Sequence, residues 1–262
     1  MADGGQQDLA RLEAEALKGY RNLTHVCPHW DKTGREALVN PTTIVIHGTG
    51  SGSSGWALAN MLDPTHPAKP SAHFLITEAA ELIQLVPLDN MAWHAGRSAW
   101  RGRDELNQFS FGIEVQNPCS LSGPEYSPQQ MDRLIRLLRW LMRRDSISSE
   151  NIVGHSCVAP GRKQDPGPKF PWRFLEREGV ARSWQTFSED VYNGEVRECL
   201  IRLGFPDSVR QQATQQEQRV ISTQDDLLRA FVLRHCPTLS HFAAGWQEHA
   251  SKYLSQRELG HA

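Results

Sequence analysis

The run TTIVIH at residues 42–47 predicts a β-strand, because every residue before the histidine is β-branched. A turn rich in glycine and serine follows at 48–55. The strand therefore ends at His47, and this histidine lies at the start of a glycine-rich loop.

Further strands and helices surround this first strand in an irregular α/β order. Strands are predicted at 72–77, 82–87, 109–116 and 151–155, and the short link at 78–81 predicts that the first two form a hairpin. Helices are predicted at 9–17, 56–62 and 128–142. Ser127 is the expected N-cap of the last helix, with Pro128 at its first position and Gln130 completing a capping box. We predict an α/β domain at 1–180 with its core at 42–175, built as a mixed central sheet flanked by helices.

The alternation within strand 109–116 separates an apolar face from a polar one. Phe111, Ile113 and Val115 share the apolar face, and Glu114 points away from it. A carboxylate in this position is a candidate for transferring protons in catalysis.

From about residue 180 the sequence becomes more polar but keeps a helical periodicity. Helices are predicted at 191–203, 225–235 and 239–254, the second of them behind a cap at Ser222 and Thr223. We predict a small three-helix domain at 190–262.

Charge and composition exclude several classes of protein. The chain has 262 residues, with 28 Lys and Arg against 30 Asp and Glu, so it offers no basic field for nucleic acid. No stretch approaches the roughly 20 apolar residues that span a bilayer. Residues 1–21 lack the apolar core of a secretory signal, so we expect a cytoplasmic start, a signal already removed or another export route. The five widely spaced cysteines favour buried thiols over disulfides or a thiolate zinc site.

One glycine pattern suggests nucleotide binding. Gly50, Gly52 and Gly55 match G-x-G-x-x-G between a strand and a helix, the pattern of a pyrophosphate-binding turn. No regular series of βαβ units follows, so a loop beside a site is the better interpretation.

A stronger set consists of His47, His155 and Asp165, because each lies where a strand ends or a tight loop begins. Two histidines and one carboxylate supply the three ligands of a catalytic zinc site and leave one position open to water. The ten positions from His155 to Asp165 allow the intervening loop to bring both onto one metal. Taken singly, each of the eleven histidines is more typical of a packed or surface side chain.

Six short segments carry a resemblance to a known family. Five follow one another along the chain: IVIH at 44–47, SAHF at 71–74, AWHAG at 92–96, FGIE at 111–114 and VGHS at 153–156. The sixth is GRKQDPGPKFPW at 161–172. The five resemble, in the same order, segments of zinc-dependent N-acetylmuramoyl-L-alanine amidases of the amidase type 2 family, and the sixth resembles the signature that carries this family's third metal ligand. The resemblance covers about 42–175, and the family includes phage amidases and animal peptidoglycan recognition proteins.

This resemblance implies Zn2+ on His47, His155 and Asp165, with Glu114 and Lys163 as catalytic residues. Glu114 would take a proton from the attacking water and return it to the leaving amine, while Lys163 would stabilise the oxyanion. From its position alone, Lys163 is equally typical of a solvated loop lysine.

Other residues near these motifs have smaller expected roles. Three are predicted to contact the substrate: Trp93, His94 and Arg101. His73, in an apolar strand, is expected to be structural. Cys157 suggests a thiol nucleophile, but a histidine bound to metal cannot serve as its base. Gly48 departs from the family pattern, in which a bulky residue often follows the first histidine, so the floor of the site is expected to differ.

The resemblance predicts hydrolysis of the amide between the lactyl group of N-acetylmuramic acid and the L-alanine of the stem peptide. The expected partner is peptidoglycan or a muropeptide, and the alternatives are a non-catalytic peptidoglycan-binding protein or a recycling amidase for anhydro-muropeptides. Residues 200–205 and 227–231 resemble a peptidoglycan-binding module, although a helical extension packed on the catalytic domain fits equally.

Two properties remain open from the sequence. The two-part layout favours the periplasm or cell envelope, but a cytoplasmic enzyme and an effector exported without a classical signal stay possible. The oligomeric state is undetermined.

Overall fold

A computed structural model describes residues 2–30, 41–182, 195–211 and 218–235. The strands of its first 182 residues are β1 (Arg21–Asn22), β2 (Thr43–Gly48), β3 (Phe74–Ile76), β4 (Leu82–Gln84), β5 (Ala99–Trp100), β6 (Arg103–Asp104), β7 (Ser110–Val115) and β8 (Ile152–Gly154). Six of them form one sheet in the order β1-β4-β3-β7-β2-β8. Strands β3, β7, β2 and β8 run parallel, and β4 pairs antiparallel with β3. The mixed sheet and the hairpin predicted from 72–87 are therefore confirmed, with shorter strands than expected.

The parallel pairing brings the candidate residues to one edge of the sheet. His47 of β2 lies beside Glu114 of β7 in the strand register. His155 follows Gly154, the last residue of β8, which pairs with the other side of β2. Because carboxyl ends of parallel strands meet at the same edge, the three side chains start from adjacent positions.

Five helices accompany this sheet: α1 (Ala2–Ala16), α2 (Ser54–Leu62), α3 (Pro128–Asp145), α4 (His155–Val158) and α5 (Trp172–Arg177). Helix α3 begins as predicted, since the Ser127 side chain accepts a hydrogen bond from the Gln130 amide and the Gln130 side chain accepts one from the Ser127 amide. None of the described helices is both long and apolar enough to span a bilayer.

The two faces of the sheet are covered by different parts of the chain. Ile44 and Ile46 of β2 pack in one core with α3, together with Phe111 and Ile113 of β7. Val45, on the opposite face, packs in a second core that includes C-terminal residues. His47 and Glu114 share that opposite face through the alternation of side chains along each strand.

The C-terminal segment contains α6 (Val196–Leu203), β9 (Ser208–Gln211), β10 (Gln218–Ile221) and α7 (Gln224–His235). Helix α6 lies inside the range predicted for the first helix, and α7 matches the range predicted for the second except that it begins one residue earlier. Strands β9 and β10 form an antiparallel hairpin between them, which the sequence analysis missed. These strands are short and mostly polar, so they lack the apolar alternation that strand prediction requires. The third helix predicted, at 239–254, falls outside the described residues.

Helix α7 is attached to the central sheet by shared packing. Phe231 lies in the same buried cluster as Val153 and Cys157, which flank His155. The buried Arg234 donates a hydrogen bond to the Ile152 carbonyl at 3.1 Å, and its guanidinium lies 3.7 Å from the centre of the Trp172 ring. The end of α7 therefore covers the outer edge of strand β8.

Replacing Ser127 by Ala should lower the free energy of unfolding by about 1 kcal/mol, because it removes the side chain that caps α3. Urea denaturation followed by circular dichroism measures this loss. The exposed Ser122, which lies in the preceding loop, supplies the control, since its replacement by Ala should change nothing. Equal stabilities for the two variants would show that the capping box contributes nothing.

Replacing Phe231 by Ala should lower the free energy of unfolding by about 3–5 kcal/mol, because it empties a buried site. A single unfolding transition should remain, because the cluster of Phe231 joins α7 to the residues around His155. Thermal unfolding detects both effects. Ile201→Ala is the matched control, since that apolar side chain on α6 is 36% exposed. Two separate transitions in F231A, with the upper one at the wild-type temperature, would contradict this shared core.

Candidate metal centre

Three side chains converge at the carboxyl edge of the sheet. The Nδ1 atoms of His47 and His155 lie 2.9 Å apart, and Asp165 Oδ2 lies 3.1 Å from each of them. Both histidines are buried, and Asp165 is partly buried. Together these three residues form a group that could hold a metal ion.

The loop that carries Asp165 is held in place by hydrogen bonds. The Ser156 amide donates to the Asp165 carbonyl at 3.0 Å, which closes the loop back onto the start of α4. The Tyr126 hydroxyl donates to the Pro166 carbonyl at 2.7 Å. Asp165 is thereby fixed opposite the two histidines, as the ten-residue spacing allowed.

The protonation states of these groups suit a cation. Burial and the neighbouring His155 lower the pKa of His47 to about 4, so its imidazole is neutral near pH 7. Burial alone would raise the pKa of Asp165, but His155 and His47 hold it below its usual range. The Nε2 atom of His155 lies 3.0 Å from the Ala95 carbonyl, which can only accept, so this nitrogen carries a proton and Nδ1 is the nitrogen that faces the other two groups.

The donor set fits zinc. Two imidazole nitrogens and one carboxylate oxygen are common zinc ligands, and a tetrahedral site with ordinary bond lengths separates its ligand atoms by about 3.3 Å. The three separations of 2.9–3.1 Å are within a few tenths of an ångström of that value. Three protein ligands would leave one position of a bound zinc ion open to water or substrate.

Glu114 lies beside this group with an unsatisfied oxygen. Its Oε2 atom is buried and has no hydrogen-bond partner among the described residues. Burial and the charge of Asp165 raise the pKa of Glu114 to about 8, while Lys163 acts in the opposite direction. A buried carboxyl group of this kind is poised to exchange a proton near neutral pH.

A cavity of about 530 Å3 opens onto the group. His47, His155 and Asp165 line it together with Glu114 and the exposed Lys163. The five residues predicted as metal ligands or catalytic groups thus share one cavity. Thr49 and Gly50 also line the cavity. The glycine-rich turn therefore lies beside the site, as predicted when nucleotide binding was set aside.

The other predicted residues are distributed differently. Trp93 and His94 line the cavity, but His94 Nδ1 also lies 3.0 Å from His47 Nε2. Arg101 is not among the described residues that line it, and its guanidinium pairs with Glu150. The prediction that Arg101 contacts the substrate therefore has no geometric support here.

Two predictions about non-catalytic groups agree with the structure. His73 Nδ1 accepts a hydrogen bond from the Gly112 amide, and its Nε2 lies 3.0 Å from the Asn90 carbonyl, which is the arrangement of a structural histidine. Cys157 is buried, and burial raises the pKa of its thiol. A thiol nucleophile at this position is disfavoured.

The floor of the cavity involves residues that the sequence analysis did not select. A Cβ atom on Gly48 would lie 2.1 Å from Cys119 Sγ and 2.7 Å from the Tyr126 hydroxyl. Cys119 and Tyr126 therefore occupy the space beside the first histidine that a larger residue at 48 would need. The glycine at 48 indicated in the sequence that this space differs from that of relatives. Sequence alone could not show that Cys119 and Tyr126 fill it.

Comparison with known proteins gives a consistent result. The family model described as N-acetylmuramoyl-L-alanine amidase matches residues 37–168. The N-acetylmuramoyl-L-alanine amidase AmiD of Escherichia coli (strain K12) is 33% identical over 221 residues, which are 75% of this chain and 75% of AmiD. The 1,6-anhydro-N-acetylmuramyl-L-alanine amidase AmpD of Citrobacter freundii is 36% identical over 160 residues, 55% of this chain and 83% of AmpD.

A solved structure of the same group of proteins has a similar fold. The solved complex of E. coli AmiD with anhydro-N-acetylmuramic acid-L-Ala-D-γ-Glu-L-Lys has a TM-score of 0.62 at 27% identity. The match covers 87% of this chain and 93% of that chain, so it extends beyond the part shared with AmpD.

Replacing Gly48 by Ala should lower the free energy of unfolding by about 1–3 kcal/mol, because the added methyl group overlaps Cys119 Sγ. Combining it with Cys119→Ala should recover part of the loss. Chemical denaturation of the two single variants and the double variant gives the coupling energy. Additive losses would show that Cys119 does not fill the space at 48.

Proposed function

The chain belongs to the N-acetylmuramoyl-L-alanine amidase family, and from this premise we propose that it works as a zinc hydrolase at the group formed by His47, His155 and Asp165. Its reaction is hydrolysis of the amide between the lactyl group of N-acetylmuramic acid and the L-alanine that begins the stem peptide. The observation that carries the zinc assignment is the convergence of three ligand atoms within 3.1 Å, next to the unpaired Glu114 carboxyl oxygen.

A zinc ion bound there supplies Lewis-acid activation of water and of the amide carbonyl. Glu114 is the proposed general base, since its carboxylate borders the same cavity and has an unsatisfied oxygen. It takes the proton from the attacking water and passes that proton to the nitrogen of the departing L-alanine. The water oxygen bonds to the carbonyl carbon as the amide C–N bond breaks, which leaves a carboxylic acid on the lactyl group and an amine on the peptide. At neutral pH the acid proton moves to the amine, so the products are a carboxylate and an ammonium group.

Lys163 is the proposed electrostatic partner in this reaction. It lies two residues before Asp165 and lines the cavity, so its ammonium group is tethered close to the reacting carbonyl. A positive charge there stabilises the negative charge that develops on the carbonyl oxygen.

The substrate is proposed to be peptidoglycan or a muropeptide released from it. The match to AmiD includes the C-terminal segment, whereas the match to AmpD is confined to about the length of the catalytic part. This two-part layout favours an enzyme that acts on polymeric wall in the periplasm or cell envelope and takes part in cell-wall degradation. A recycling amidase for anhydro-muropeptides is the second candidate, favoured by the anhydro-muramic ligand in the AmiD complex.

Purified protein should release stem peptides that begin with L-alanine from intact sacculi, and a zinc chelator should stop the release. Mass spectrometry of the soluble products detects these peptides. Cleavage of anhydro-muropeptides alone would favour the recycling role. No chelator-sensitive cleavage of either substrate would contradict the proposed function.

Replacing Glu114 by Gln should lower kcat by at least about 100-fold and leave the bound zinc unchanged, because the amide cannot accept the proton. His155→Ala is the matched variant, since it should lose both activity and zinc. Kinetics with an anhydro-muropeptide and metal analysis separate the two variants. Full activity in E114Q would exclude Glu114 as the base, and loss of its zinc would make Glu114 a ligand.

A further inference from the structure

We propose that His94 is a positioning residue for His47: it holds the His47 imidazole in the tautomer that leaves Nδ1 bare for the metal. This inference rests on the proposed zinc site. It replaces the predicted role of His94 as a substrate contact, and it follows from a chain of hydrogen bonds that begins at a backbone carbonyl.

The first link joins Ser110 to Leu106. Ser110 Oγ lies 2.5 Å from the Leu106 carbonyl oxygen. A carbonyl oxygen only accepts, so the single hydroxyl proton of Ser110 is directed at Leu106. Toward any other group at hydrogen-bond distance, this hydroxyl therefore acts as an acceptor.

The second link joins Ser110 to His94. Ser110 Oγ lies 3.2 Å from His94 Nε2, and it can only accept there, so Nε2 carries the proton. With its ring proton held at Nε2, His94 offers Nδ1 as the acceptor toward His47.

The third link joins His94 to His47. His94 Nδ1 lies 3.0 Å from His47 Nε2, and because the former accepts, the latter must donate. The proton of His47 is then on Nε2, and its Nδ1 lone pair points at His155 and Asp165. Hydrogen-bond partners of this kind commonly fix the tautomer of a histidine that binds metal.

The position of His94 is itself closely constrained. The amides of His94 and Ala95 both donate to Asn107 Oδ1, at 3.2 and 2.8 Å. A Cβ atom on Gly112 would lie 2.4 Å from the His94 ring, so the ring rests directly on the backbone of β7. With both ring nitrogens bonded to protein groups, His94 has none left to recognise a substrate.

The two closest amide replacements distinguish this role from simple packing. Asn places its side-chain oxygen near the position of Nδ1 and so keeps the acceptor for His47. Gln places its amide nearer to the position of Nε2 and so removes that acceptor. The zinc dissociation constant should rise about 10- to 100-fold in H94Q and change much less in H94N. Chelator competition measures it, and the visible spectrum of the Co2+-loaded protein reports the ligand geometry.

His66 supplies the matched control. It lines the same cavity, but its Nδ1 accepts a hydrogen bond from the Ala68 amide in its own loop. His66→Gln should therefore leave both the zinc affinity and the Co2+ spectrum unchanged. Equal losses of zinc affinity in H94N and H94Q, or no loss of affinity in either variant, would overturn the proposed role of His94.

Histidine tautomers can also be read directly. In the zinc-loaded wild type, 15N NMR should show His47 and His94 both protonated at Nε2.

If H94Q does not fold, Ser110→Ala tests the same series of hydrogen bonds, because His94 then loses the acceptor that fixes its tautomer. The zinc affinity should fall several-fold. A His47 protonated at Nδ1, or unchanged zinc affinity in S110A, would overturn the inference. Failure of the wild type to bind zinc would reject the proposed function instead.

Discussion

Parallel pairing of β2 with both β7 and β8 is the constraint on which the site depends. It places the carboxyl ends of three strands side by side, so that His47, Glu114 and His155 emerge at one edge of the sheet. The alternation of side chains then turns His47 and Glu114 to the same face. The remaining ligand comes from the loop that returns from α4 to bring Asp165 opposite both histidines.

The ligand atoms converge closely. Two imidazole nitrogens and a carboxylate oxygen lie within 3.1 Å of one another. The surrounding structure supplies the rigidity that this arrangement requires. Tyr126 holds the loop at Pro166, and the Ala95 carbonyl, which also accepts a hydrogen bond from Arg162, fixes the ring of His155.

The C-terminal segment belongs to this supporting structure. Helix α7 packs against the residues on both sides of His155, and Arg234 caps the outer edge of β8 while it stacks on Trp172. An exposed strand edge invites unwanted pairing, so covering β8 protects the sheet as well as the ligand that follows it.

The sequence by itself determined strands β2, β3, β4, β7 and β8, the capped helix α3 and the residues proposed to carry the chemistry, because β-branched runs, capping residues and short motifs are local signals. It could not show that Arg101 turns away to Glu150, that Cys119 fills the space beside Gly48, or that β9 and β10 form a hairpin. Only the tertiary structure decided the role of His94. A histidine next to Trp93 is ambiguous in sequence, since its function depends on which atoms face its two nitrogens. Those atoms belong to His47 and Ser110, which lie 47 and 16 residues away and meet it only when the sheet has formed.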